Sequence, residues 1–266
     1  MERMKERPVF LVSPLPASGM THIQRTITAH RAAHILGEWS SGGVAMSSLA
    51  RLYGMTQEFQ TRYTDRIEGL RAALAAGKEV ANEWIAEMGP KMEDIDHAVR
   101  YFVRSSCKAA PIWGFCSTHT AQHIPLLMNL FPDSFAIVAI RQPRWAVGAW
   151  TGYSGSDVLS RAMIAQARQA YATLIEADRN SHGRILWVDW REQEDPKMYL
   201  DKLYKTLELE QTPFAREVAK TRIEKHFHDP TPVVPEWLKD EAEGRLKAVY
   251  SIGKSIAEAQ MPALVH

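Results

Sequence analysis

Only two cysteines, Cys107 and Cys116, stand in the 266 residues, and their spacing makes no metal-ligand pattern. So small a number builds no disulfide framework and suits a reducing compartment, with both thiols free. Charge of one sign is equally scarce: 32 Lys and Arg against 31 Asp and Glu leave a net charge of +1. That balance argues against the concentrated Lys/Arg surface by which proteins hold nucleic acid or a membrane. No apolar run approaches the roughly eighteen residues that span a bilayer, and no apolar segment of signal length follows MERMKERPVF. The expectation is a cytoplasmic protein with a small-molecule partner, no nucleic-acid partner, no membrane partner and no metal. Repeats and low-complexity tracts are missing too, and 45% of the residues are hydrophobic. That supports one domain over residues 1–266 with ample material for a core.

What is present begins with Pro8 to Ile27, PVFLVSPLPASGMTHIQRTI. Val9, Phe10, Leu11 and Val12 read as a short buried strand, Ser, Pro and Gly follow as a loop, and a helix opens near Gly19. A strand running through such a loop into a helix collects free backbone N–H groups and the positive end of the helix dipole at one spot. That spot favours phosphate or sulfate. The nucleotide-triphosphatase pattern, Gly, four residues, Gly-Lys-Ser/Thr, is not met, because both its first Gly and its Lys are missing.

Along the chain, the spacing extends the first helix from His22 to about Leu36, with a glycine- and serine-rich loop after it. Apolar residues at threes and fours predict helices from Met46 to Leu74, broken near Gly54-Met55-Thr56, then from Val80 to Met88 and Met92 to Val103. Residues 37–106 therefore read as a helical insertion. Ile112 to Phe115 is a candidate strand and Ile124 to Phe131 a helix. FAIVAI, Phe135 to Ile140, is too short for a helix and reads as a buried parallel strand between Pro-Asp and Arg-Gln-Pro. A helix over Asp157 to Ala177, a strand over Ile185 to Val188, and helices over Met198 to Leu207 and Leu238 to Ala259 complete the pattern. Alternating strands and helices predict an α/β fold, a central parallel sheet with helices on both faces. Ligands of such sheets bind beyond the carboxyl ends of strands, where Arg141 follows FAIVAI.

Three segments carry a family resemblance. Pro16-Ala17-Ser18-Gly19-Met20-Thr21-His22 resembles the 5'-phosphosulfate loop of sulfotransferases that use 3'-phosphoadenosine 5'-phosphosulfate (PAPS). FPDSFAIVAIRQPRWAVGAW resembles the family's strand followed by R-x-P. Phe131, Pro132, Asp133, Arg141, Pro143 and Arg144 match in type and order. Ile112 to His119 resembles the segment holding the family's catalytic His, and His119 precedes Arg141 by twenty-two residues. Arg184 to Leu207 is similar to the family's late strand, acidic turn and Asp-Pro helix.

The resemblance implies a sulfotransferase-like P-loop fold with residues 37–106 lining the acceptor pocket. Candidates for that lining are Trp39, Tyr53, Phe59, Trp84, Tyr101 and Phe102. It implies PAPS as cofactor, held by Ser18, Gly19, Met20 and Thr21 at the 5'-phosphosulfate, by His22 at the adenine and by Arg141 at the 3'-phosphate. His119 is then the general base, with His123 four residues on as its competitor. A homodimer is the family's default, although the C-terminal segment lacks the closing Glu of the dimer motif. Three positions depart from the pattern. Ala17 stands where the loop carries Lys or Arg, His22 where a Trp stacks on adenine, and Ala149 where a Ser assists Arg141. Two functions are carried forward: sulfuryl transfer from PAPS to a hydroxyl or amine, or a repurposed pocket with a different small-molecule reaction or binding role.

Overall fold

The computed structural model describes residues 6–38, 40–78, 92–154, 157–191, 195–221 and 234–261. At its centre are five strands: β1 (Arg7–Val12), β2 (Ala33–Glu38), β3 (Ile112–Ser117), β4 (Phe135–Ile140) and β5 (Ile185–Asp189). They lie in the order β2-β3-β1-β4-β5, and every neighbouring pair is parallel. Strands covered on both faces need near-continuous apolar sequence, and β1, β3, β4 and β5 have it.

One face of the sheet presents Phe10, Val12, Trp113, Phe115, Val138 and Trp187. It packs on α3 (Met92–Ser105), α4 (Ile124–Leu130), α5 (Pro143–Ser154), α6 (Asp157–Asn180) and α9 (Glu236–Ala259). The other face presents Val9, Leu11, Ile35, Cys116, Ile137 and Val188, and receives α1 (Met20–Thr28), α7 (Pro196–Thr206) and α8 (Pro213–Lys220). The predicted α/β class with helices on both faces is therefore observed. Both cysteines are free and buried, and burial pushes the Cys107 thiol up to about 11. Close packing fixes α9 over β5: a Cβ at Gly253 would come within 2.8 Å of the Trp187 ring. Lys202, buried in α7, donates from Nζ to the Ala257 carbonyl at 3.1 Å, supplying a cation to the last turn of α9.

Four expectations need correction. The first helix does not reach Leu36. It ends at Thr28, and residues 33–38 form β2. The N–H of Ala29 goes back to Arg25 and that of His30 to Ile27, while Nδ1 of His30 accepts from the N–H of Ala32, so the chain turns without Gly or Pro. Side chains of α1 then hold the strand: Gln24 donates to the Ile35 carbonyl at 2.7 Å, and Thr28 accepts from the Ile35 N–H at 3.3 Å. No break occurs at Gly54, because α2 (Ser40–Ala75) runs through it. Thr56 stands inside that helix, its hydroxyl donating to the Leu52 carbonyl one turn back. The glycine- and serine-rich loop after β2 is in part the first turn of that helix. Helix α8 was absent from the sequence reading, although Thr212 accepts from the Ala215 N–H at 3.1 Å and Pro213 fills the first helical position. The expected helix from Val80 to Met88 lies outside the described residues.

Candidate active site

The register brings the three sequence motifs to one edge. Val12, the last residue of β1, pairs with Ser117, the last of β3, and with Val138 of β4. The chain leaving β1 at Ser13, β3 at Thr118 and β4 at Arg141 therefore emerges side by side at the carboxyl edge. That is where a parallel sheet binds its ligand.

The loop after β1 is shaped by its own side chains. The Ser13 hydroxyl lies 2.5 Å from the Leu15 carbonyl, and the Ser18 hydroxyl donates to that same oxygen at 2.7 Å. Two residues take left-handed backbone, Ala17 at φ 57° and Gly19 at φ 88°. Gly19 meets this without cost, whereas Ala17 holds a conformation that disfavours a Cβ. Gly19 then caps α1 without a side chain, and its carbonyl accepts from His22 and Ile23. Among the described residues no acceptor takes the N–H groups of Ala17, Ser18, Gly19, Met20 or Thr21. Open donors at a helix N-terminus are suited to an anion.

Arg141 reaches this loop. Its guanidinium donates to the Ala17 carbonyl at 3.0 Å and lies 4.7 Å from the centroid of the Trp190 ring. Burial lowers its pKa from the ordinary value, and an arginine remains charged through such a shift. Arg144, in contrast, belongs to the outer surface, ion-paired with Glu236 and Asp240 of α9.

The predicted loop residues divide by direction. Ser18 is 1% exposed with its hydroxyl committed to Leu15, which leaves its N–H for a ligand. Met20 points into the core, its sulfur 3.9 Å from Cys116, and likewise offers only its N–H. Thr21 is exposed in the first turn. His22 is 7% exposed, with its ring stacked on Tyr199 at 5.5 Å. Burial lowers its pKa foremost, and the Arg25 charge adds to this while a backbone hydrogen bond with Ala219 opposes it. Tyr199 thus occupies one face of the imidazole where an adenine was expected.

His119 is exposed in the turn after β3. His123 ends the 3-10 turn Ala121–His123, half-buried, and burial lowers its pKa. The two are separated by a turn and a 3-10 segment, so they do not share an α-helical face. Of the aromatic candidates for the acceptor pocket, Trp39 and Trp84 lie outside the described residues. Tyr101 faces the opposite end of the sheet. It lines a groove of about 680 Å³ with Pro8, Trp113, Arg104 and Asp133, at the strands' amino ends. Trp190 escaped the sequence reading, although it follows β5 by the same rule that singled out Arg141 after β4.

Comparison with known proteins decides the family. A family model described as "Sulfotransferase family" matches residues 8–213, which span β1 through the start of α8. The chain belongs to the sulfotransferase family. No curated protein matches its sequence. Among solved structures, the sulfotransferase STF9 from Mycobacterium avium superposes with a TM-score of 0.52 at 14% identity, over 94% of this chain and 78% of that one. STF1 from Mycobacterium tuberculosis H37Rv gives 0.51 at 11% identity, over 92% of this chain and 77% of that one. The sulfotransferase domain of the Synechococcus PCC 7002 olefin synthase gives 0.50 at 15% identity, over 99% and 98%. At such identities the likeness establishes the fold, and the chemistry of this family member rests on its own residues. No metal-binding group occurs among the described residues, and none of their helices is long and apolar enough to cross a membrane.

Proposed function

We propose that this chain transfers a sulfuryl group from PAPS to a hydroxyl or amine of a small molecule. The observation that carries the reading is the meeting of five unpaired N–H groups of residues 17–21 with the Arg141 guanidinium at the carboxyl edge. The donor set suits two anionic groups on one ligand. The loop N–H groups and the Thr21 hydroxyl would hold the 5'-phosphosulfate, and Arg141 the 3'-phosphate, for which a planar fork is suited. PAPS, when bound, supplies the sulfuryl group and the phosphate that leaves from it. His119, exposed in the turn after β3, takes the proton of the attacking acceptor oxygen or nitrogen. Lowering the barrier is then mostly positioning and electrostatics.

A second reading is favoured by Ala17 and Ala149. Neither side chain offers a donor, and a missing positioned donor for developing charge costs about a hundred- to thousandfold in rate. In that reading the pocket binds a small molecule and does different work or none. Incubation with PAPS labelled in its sulfuryl group, against a panel of phenols, alcohols and amines, separates the two. Label appearing on an organic acceptor supports transfer. Label remaining on PAPS across the panel, with no binding of the desulfated product PAP, overturns it in favour of the second reading.

A further inference from the structure

We propose that Trp190 is a positioning residue for Arg141, fixing its guanidinium so that the site selects ligands bearing a 3'-phosphate. The inference rests on the nucleotide-site reading above and adds to it the residue on which that selection depends. Arg141 has three restraints: its place at the end of β4, the 3.0 Å hydrogen bond to the Ala17 carbonyl, and the Trp190 face at 4.7 Å. Among the described residues no carboxylate pairs with it. A carbonyl and an aromatic face hold a guanidinium in place without cancelling its charge, so that charge remains available to a ligand anion.

Trp190 is itself held. The carboxylate of Asp189 accepts from the Arg191 N–H at 2.9 Å and from the Tyr250 hydroxyl at 2.8 Å. The turn after β5 is thereby tied to α9, and Trp190 stands in that turn between Asp189 and Arg191. Ala149 gives the reason that this should matter here. With no hydroxyl at that position, Arg141 has no side-chain helper there. A cation already in its bound orientation loses less freedom when the anion arrives.

The experiment is calorimetric titration of the full chain with PAP and with adenosine 5'-phosphate, which lacks the 3'-phosphate. Trp190→Ala should weaken PAP by about tenfold and leave adenosine 5'-phosphate unchanged, and Trp190→Phe should retain most of the affinity. In an Arg141→Ala background Trp190→Ala should add nothing, since the two act as one unit. Equal weakening of both nucleotides by Trp190→Ala, or no weakening of PAP, would overturn the assignment. The Phe variant guards against misfolding, because it keeps the aromatic face and the packing. Failure of the wild type to bind PAP at all would instead overturn the nucleotide reading, and this assignment with it.

Discussion

The two ends of the same sheet differ in what their polar groups lack. At the amino edge, around the 680 Å³ groove, Glu6, Arg104 and Trp113 answer one another. Glu6 accepts from Arg104 at 3.0 and 3.1 Å and from the Trp113 indole at 3.1 Å, while Arg104 also covers the Trp113 ring at 4.7 Å. The Arg104 contacts foremost hold the Glu6 carboxyl below its ordinary pKa. At the carboxyl edge, the N–H groups of residues 17–21 go unanswered among the described residues, beside a guanidinium with no carboxylate. Buried or half-buried polar groups are normally paired, and those left open at a helix N-terminus point to a ligand. Volume marks the amino edge, whereas unsatisfied polarity marks the carboxyl edge, and we place the chemistry by polarity.

The comparison breaks first on His119. Once an acceptor is found, His119→Ala should lower turnover by a hundredfold or more, with circular dichroism and melting temperature near wild type because the side chain is exposed. Full activity in His119→Ala together with loss in His123→Ala would transfer the base to the half-buried imidazole. The next largest effect concerns the loop. Ala17→Lys restores a cation where the family pattern has one, and should raise turnover by at least about tenfold, part of the hundred- to thousandfold that such donors supply. An unchanged rate would show that Arg141 already supplies that charge in space.

At the amino edge Glu6→Ala should cost about 0.5–1 kcal/mol of stability, the range of a partly exposed pair, and leave PAP affinity unaltered. A change in ligand binding would place function in the groove after all. The smallest expected effect is in pH. Burial lowers the pKa of both His22 and His123, so their unfolded forms bind protons first as pH falls. Their share of stability is complete above the unfolded value near 6.5 and is lost as pH drops through the lowered folded values. Melting temperature should therefore fall from pH 7 to pH 5, and His22→Gln should narrow the difference.

Much of this was legible because it is local. FAIVAI is bounded by turn signals and has one use, and it became β4 with its expected limits, Phe135–Ile140. Arg141 could be placed because a parallel sheet delivers whatever follows a strand to the ligand edge. β2 was not legible. AHILGE carries neither alternation nor a preceding breaker, and it becomes a strand through pairing with β3 and through Gln24 and Thr28 of the helix before it. The break at Gly54 was misread for the converse reason, since a lone glycine in a long helix costs only about 1 kcal/mol. His22 looked like a stacking platform from its position alone, and the structure shows Tyr199, 177 residues away in sequence, already against it. Trp190 has no partner in view in the sequence, since Arg141 follows a different strand, β4.

The most direct test of an anion site at the carboxyl edge is calorimetric titration of the wild type and Arg141→Ala with PAP. The account predicts micromolar binding to the wild type and a loss of about tenfold or more in the variant, the worth of a charge-assisted hydrogen bond. No heat at millimolar PAP, or equal affinity in the two proteins, would contradict it.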